Sequence, residues 1–580
     1  MNQQRVTQYR LSSLLVVASG MLGACAGVPE SKAPIPAPAV IAQEKKRPEL
    51  PKQELTGQTL YSLLLAEIAL QRGEPGFASL AYKDLLQYTA DYRVAERAAQ
   101  VALSAQNPEQ SLSAAQRWLE LEPESVVARQ TVAGILVSQG NLSQARPHIQ
   151  NILAAEGTNI GQGFLYLNKL LERHPNKAEV LALVQELARP YPNLPEAHFA
   201  ESRAAWNAEN KLLALQAIDG ALSLRPAWDD AALVKAQLLQ SVSGAKVLEF
   251  YNAYLRDHPR SREVRLAFAR FLVQEKQYPL AREEFKRLST DFPDQADVPL
   301  AIGLLSMQLK DYEAAETNFR LALERGIKDD DAVRLYLGQL NEERKRWDEA
   351  RQWYEAVGGA QAFNAKLRVA GVLARQDKLP EARKYLQGIE TTTNQQRTQV
   401  VSAEASLLRD AKQHQQAFDV LSKALEKLPN HPDLLYDYAM AAEKINRLEL
   451  LESSLKKLIQ VKPDYAHAYN ALGYTLADRT TRFDEAKVYL DQAIKLAPDD
   501  AFILDSLGWL QYRMKDHVQA ISTLRRAIRL RPDPEIAAHL GEVLWESGEH
   551  LEAKQVWDSA LKDNPDHEAL LSAIQKYKAR

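Results

Sequence analysis

Cysteine is almost absent. Cys25 is the single one in 580 residues, so neither an intramolecular disulfide nor a cysteine-built metal cage can form. An excess of one charge is missing as well. Lys and Arg total 72 against 75 Asp and Glu, for a net charge of −3. A chain built to hold nucleic acid would carry a basic face, so that class is excluded as the main partner. Helix breakers are sparse, with 24 Gly and 27 Pro. Ala, Leu, Glu, Lys, Arg and Gln dominate, which favours an all-helical chain. Chemistry-bearing motifs are missing too. There is no H-E-x-x-H, no G-x-S-x-G and no Gly-rich phosphate loop. The eleven His are scattered, and His539 and His550 are too far apart to form an adjacent ligand pair. Asp329-Asp330-Asp331 and Asp499-Asp500 precede helical patterns, where carboxylates serve as caps. The expectation is no catalytic residue, no metal and no cofactor; the chain is not an enzyme.

What is present is repetition. One stretch reads Ala466-His-Ala-Tyr-Asn-Ala-Leu-Gly473, then Phe483-Asp-Glu-Ala486, Ala493 and Pro498. The next carries Leu507-Gly508, Ala520, Ala527 and Pro532; the third carries Leu540-Gly541, Ala553, Ala560 and Pro565. Gly473, Gly508 and Gly541 are 35 and 33 residues apart. Small residues recur at the eighth, twentieth and twenty-seventh places, with Pro at the thirty-second. The pattern closely resembles the tetratricopeptide repeat, a helix–turn–helix unit of about 34 residues. The resemblance implies an all-α solenoid, a tetratricopeptide-repeat superhelix with helix A of each unit lining an inner groove. Gly473 and Ala486 then stand where helices A and B cross, and Ala493 where helix B meets the next helix A. A larger side chain at any of them would force the helices apart.

Taken in order, the chain begins with Arg5 and Arg10 and the apolar stretch Leu11 to Leu22, too short to span a bilayer. Leu22-Gly23-Ala24-Cys25 follows and resembles the lipobox of bacterial lipoproteins. That resemblance implies cleavage after residue 24, acylation of Cys25 and attachment to a lipid bilayer. Ala26 takes the place of the aspartate that resembles an inner-membrane retention cue, which favours the outer membrane, facing the periplasm. Residues 25–57 form a Pro-rich tether reaching on the order of several tens of ångströms, with Lys45, Lys46 and Arg47 inside it. Residues 58–192 read as degenerate helical repeats, with Ile160 to Pro192 fitting worst. Residues 193–567 read as regular repeats, with Pro226, Pro259 and Pro293 in register. Residues 568–580 read as a capping helix that shields the last unit. Counting degenerate members gives about fifteen units.

Function then rests on surface. The second, fifth, ninth, twelfth and thirteenth places of helix A face the groove in tetratricopeptide arrays. Here they are Phe502, Asp505, Trp509, Tyr512 and Arg513, joined by Asn470 and Tyr474 of the preceding unit. Large aromatics beside Asn and Arg suit capture of a peptide or partner helix; Trp509 and Tyr474 can equally pack across neighbouring helices. Anchor, tether and repeats together resemble outer-membrane lipoprotein adaptors. Those bind a periplasmic carboxyl-terminal processing protease and present cell-wall hydrolases to it. The resemblance implies a non-catalytic scaffold whose partners are that protease and its protein substrates. A scaffold for exopolysaccharide export or outer-membrane assembly is the alternative. The anchor has a direct check. Cys25→Ser should move the protein from the membrane pellet to the soluble fraction; a variant that still sediments with membranes refutes acylation as the anchor.

Overall fold

The computed structural model describes residues 50–172 and 174–578. The leader, Cys25 and most of the tether lie outside the described residues. Among these residues there are α-helices and two short 3-10 turns and no strand. Backbone contacts divide the chain into two compact units, the division falling between Ala301 and Ile302.

The N-terminal unit runs α1 (Gly57–Gln71), α2 (Pro75–Leu85), α3 (Tyr92–Ser104), α4 (Pro108–Leu121), α5 (Val126–Ser138), α6 (Leu142–Ala155) and α7 (Ile160–Leu171). It continues with α8 (Lys177–Ala188), α9 (Pro195–Asn207), α10 (Lys211–Leu224), α11 (Asp229–Gln240), α12 (Gly244–Asp257), α13 (Arg262–Gln274) and α14 (Tyr278–Asp291). Helix α15 (Asp297–Gln308) spans the division. The segment that fits the repeat worst still forms two helices, α7 and α8, and both pack on α9. Its glycines mark close approaches. A Cβ at Gly163 would stand 2.8 Å from Leu153 Cδ2, and one at Gly161 2.8 Å from the Glu196 carboxyl carbon. One buried core runs from Ala66 on α1 to Ala204 on α9, with Tyr82, Phe164 and Leu167 inside it.

The C-terminal unit holds α16 (Tyr312–Glu324), α17 (Asp330–Glu343), α18 (Trp347–Glu355), α19 (Ala362–Arg375), α20 (Leu379–Gln387), α21 (Asn394–Asp410), α22 (His414–Lys427) and α23 (Pro432–Lys444). Then come α24 (Leu448–Val461), α25 (Ala466–Arg479), α26 (Phe483–Leu496), α27 (Ala501–Arg513), α28 (His517–Leu530), α29 (Pro534–Glu546), α30 (His550–Asp563) and α31 (Glu568–Lys578). Each odd helix pairs with the even helix after it, as α25 does with α26 and α27 with α28. Odd helices also pack on each other, α25 on α27, α27 on α29 and α29 on α31. The first helices of these pairs therefore form a continuous, tight layer.

In five of the pairs the crossing depends on an absent side chain. A Cβ on Gly473 would lie 2.7 Å from Leu490 Cγ, and one on Gly508 2.6 Å from Leu524 Cγ. Gly303 stands in the same relation to Phe319, Gly338 to Tyr354 and Gly541 to Trp557. Each partner sits on the second helix of the same pair and is buried. Helix starts are capped as carboxylates there should do. Asp500 accepts from the backbone N–H of Phe502 and Ile503, and Asp533 from that of Glu535. Asp329 caps α17, while Asp330 and Asp331 bind Arg334.

Turns within pairs show a feature the spacing does not reveal. The chain enters the left-handed region at Lys276, Lys310, Lys345, Lys412, Asn446 and Lys515, near φ +60°. At Lys515 the local bonds are those of a helix C-terminal motif: Lys515 N–H donates to the Tyr512 carbonyl and Asp516 N–H to that of Gln511. These bonds satisfy carbonyls at the end of α27, and they hold non-glycine residues where an L side chain costs about 1–2 kcal/mol.

At the C-terminus, α31 packs on α29. Leu570, Ile574 and Tyr577 are buried in one cluster with Trp557. This helix closes the last pair as a cap does.

The crossing predicts opposite signs for two glycines. Gly508→Val should destabilise the protein by roughly 1–3 kcal/mol through overpacking against Leu524. A methyl group added to Gly371 on α19 would meet nothing within 4 Å, so Gly371→Ala should stabilise by about 0.5–1 kcal/mol from helix propensity alone. Urea unfolding of both variants checks the pair; equal effects would remove the eighth-place crossing as the packing constraint.

Candidate protein-binding face

The tight odd-helix layer brings side chains one repeat apart into contact. One such cluster is centred on His539 of α29. Its imidazole stacks on Trp509 of α27 with ring centroids 4.4 Å apart, and lies 6.2 Å from the Tyr474 ring on α25. Its Nδ1 is 2.9 Å from both carboxylate oxygens of Asp505. Trp509 Nε1–H donates to Asp478 Oδ1 at 3.2 Å. Tyr512 stands 5.1 Å from Trp509, and meets His517 edge-on at 5.5 Å. Three successive first helices are thus stitched through one aromatic and acidic cluster.

The sequence-derived residues fall into distinct places. Tyr474, Asp505, Trp509 and Tyr512 are brought together around His539. Trp509 packs across neighbouring first helices and is only 9% exposed. Arg513 lies beside them, donating to the Asp478 carbonyl at 2.6 Å and covering the Phe483 ring at 5.6 Å. Phe502 lies apart, under the Arg531 guanidinium at 5.0 Å. Asn470 is fully buried, and neither amide atom has a hydrogen-bond partner among the described residues. Cys25 lies outside the described residues. Sequence reasoning missed His539 and Asp478 as members of the cluster. The repeat pattern gave no signal for the pair: His539 stands at the sixth place of its helix and Asp505 at the fifth place of the one before.

The electrostatics are acidic. Burial raises the Tyr474 phenol first, and four carboxylates raise it further: Asp478, Asp505, Glu535 and Glu443. They come from α23, α25, α27 and α29, one from each of four successive first helices. For His539, burial alone would lower the pKa. The Asp505 carboxylate, backed by Glu535 and Glu542, outweighs burial and holds the group above its usual 6.5. Elsewhere in the C-terminal unit, Arg409, His414 and Lys444 line a cavity with Asp437 between α21, α22 and α23. No group of three or more His, Cys, Asp or Glu suited to a metal ion occurs among the described residues. No helix among them is long and apolar enough to cross a membrane.

Tetratricopeptide-repeat models match residues 300–362, 466–500 and 504–534. A TPR repeat-containing protein of Pseudomonas aeruginosa is 32% identical over 547 residues, covering 92% of each chain. The chain belongs to the tetratricopeptide-repeat proteins. A human protein O-mannosyl-transferase is 26% identical over 38% of this chain and 25% of its own length. Among solved structures, a thermophilic TPR protein of Thermus thermophilus is 22% identical, covering 30% of this chain and 98% of its own, with a TM-score of 0.29. The Cut9–Hcn1 hetero-tetramer of the APC/C is 13% identical, covering 84% and 97%, also with a TM-score of 0.29. As a tetratricopeptide-repeat protein, the chain is a protein-interaction scaffold.

The His539–Asp505 pair yields a pH prediction. A histidine whose folded pKa is raised contributes stability that is fully present below its unfolded value of about 6.5 and is lost as pH rises through the folded value. The wild-type Tm should therefore fall as pH climbs from about 6.5 through the raised pKa of His539. Asp505→Asn should flatten that slope and bring the imidazole titration midpoint, followed by NMR, down. An unchanged midpoint in Asp505→Asn would show that Asp505 does not hold the charge.

Proposed function

We propose that the chain is a non-catalytic, outer-membrane-anchored periplasmic scaffold. It binds a carboxyl-terminal processing protease, activates it, and delivers protein substrates such as cell-wall hydrolases. The observation that carries the scaffold role is the stitched layer of α25, α27 and α29. It holds the partly exposed Tyr474, Phe502, Tyr512 and Arg513 on a rigid array of helices, and rigid aromatic anchors bind at low conformational cost. The anchor reading rests on Leu22-Gly23-Ala24-Cys25 and the Pro-rich segment after it. A scaffold holding protease and substrate together raises their effective concentration and accelerates cleavage with no bond-making residue of its own.

The test is capture from envelope extracts with a tagged Cys25→Ser form, read by mass spectrometry. A carboxyl-terminal processing protease recovered with cell-wall hydrolases, and faster hydrolase cleavage when the purified chain is added, is the expected outcome. Recovery of export or outer-membrane assembly components in place of the protease would overturn it.

A further inference from the structure

Helix α1 is apolar on all sides. Glu67 is its single charged residue, paired with Arg97 and accepting from the Tyr82 hydroxyl. One face, with Ser62, Ala66 and Ala69, is buried. The opposite face carries Leu60, Leu64 and Ile68 at successive turns, with Tyr61 beside them. Their exposure runs from 41% at Leu60 to 62% at Tyr61. A helix that is apolar all round is one that neighbours cover all round. The later pairs follow that rule. Helix α3 packs on α2, α5 on α4, α23 on α22 and α27 on α26, each first helix meeting the second helix of the pair before. Among the first helices of those pairs, Leu103 at the end of α3 is the one other large apolar side chain left exposed. No described helix precedes α1. At the far end α31 covers the last pair.

The array itself shows what fits such a face: an amphipathic helix laid along it. The upstream chain does not supply one. From Cys25 to α1, Pro29, Pro34, Pro36, Pro38, Pro48 and Pro51 leave at most the nine residues 39–47 between breakers. Proline ends a helix, and the second helices α4 and α26 have 14 residues each. We infer that the uncovered face of α1 seats an amphipathic helix of a partner protein. It packs as a second helix of the array does and buries Leu60, Tyr61, Leu64 and Ile68. The inference rests on the scaffold reading and adds where, and in what form, a partner is held. The stripe has no charge, so affinity depends on the spacing of apolar residues along the partner helix and little on salt.

Fluorescence anisotropy on the full-length Cys25→Ser protein tests it. The probes are two labelled, helix-stapled peptides as long as α26, both made of Leu, Ala, Lys and Glu. One is ordered so that Leu and Ala line a single helical face; the other is a scramble of the same composition. The ordered peptide should bind at least about tenfold tighter, with little change on raising salt. Leu64→Lys/Ile68→Lys changes two exposed side chains and should abolish that preference with helical content unchanged. Equal binding of the two peptides would overturn the inference, as would undiminished binding by the folded double variant. A wild-type dimer in sedimentation velocity that the double variant lacks would give the face to a second copy and overturn it. Binding to phosphatidylethanolamine–phosphatidylglycerol vesicles that the double variant loses would give it to the membrane and overturn it too. The two readings fail separately. Partners captured from envelope extracts equally well by the double variant leave the scaffold standing and remove this seat. Absence of any captured protein removes the scaffold itself.

Discussion

The structure depends on how closely two helices can cross. At the eighth place of the first helix, five pairs have a glycine that leaves room for a Phe, Tyr, Leu or Trp from the second helix. That contact sets how closely the pair can approach and buries a large side chain of the unit. The odd helices then come close enough to form a layer, and the layer creates the face. Because each pair touches only its neighbours, the constraint is local and repeats.

The cluster around His539 shows what the layer does with polar groups. Asp505, His539, Trp509 and Asp478 lie on three different helices, yet each satisfies another. A buried carboxylate alone would be costly; beside an imidazole whose charge it stabilises, it ties α27 to α29. Tyr474 lies in the same cluster, its ring 6.2 Å from that of His539. The buried pair Arg265–Glu284 in the N-terminal unit, 2.6 Å apart, resembles it in chemistry but joins the two helices of a single pair, α13 and α14.

Much of this was legible in advance. The spacing, through its resemblance to the tetratricopeptide repeat, placed the eighth-place glycines at crossings, with Asp500 before a helix as a cap and a capping helix over residues 568–580. Tyr474, Asp505, Trp509 and Tyr512 were named from their places in helix A. His539 was not, because it occupies a sixth place; it reaches Asp505 only through the slide of one first helix on the next. The left-handed turns at Lys276, Lys310 and Lys515 were also invisible. Glycine is the usual signature there, and here the bonds to the preceding helix hold other residues in place.

By itself the sequence determined the helix pairs, their order and the positions too tight for a side chain, because those follow from periodicity and volume within one repeat. Tertiary structure alone decided which inner-face groups meet. It buried Asn470 without a partner, turned Arg513 onto Phe483, and set His539 between Asp505 and Trp509. Those outcomes depend on the offset between neighbouring helices, a distance of a few ångströms that the repeat period does not encode.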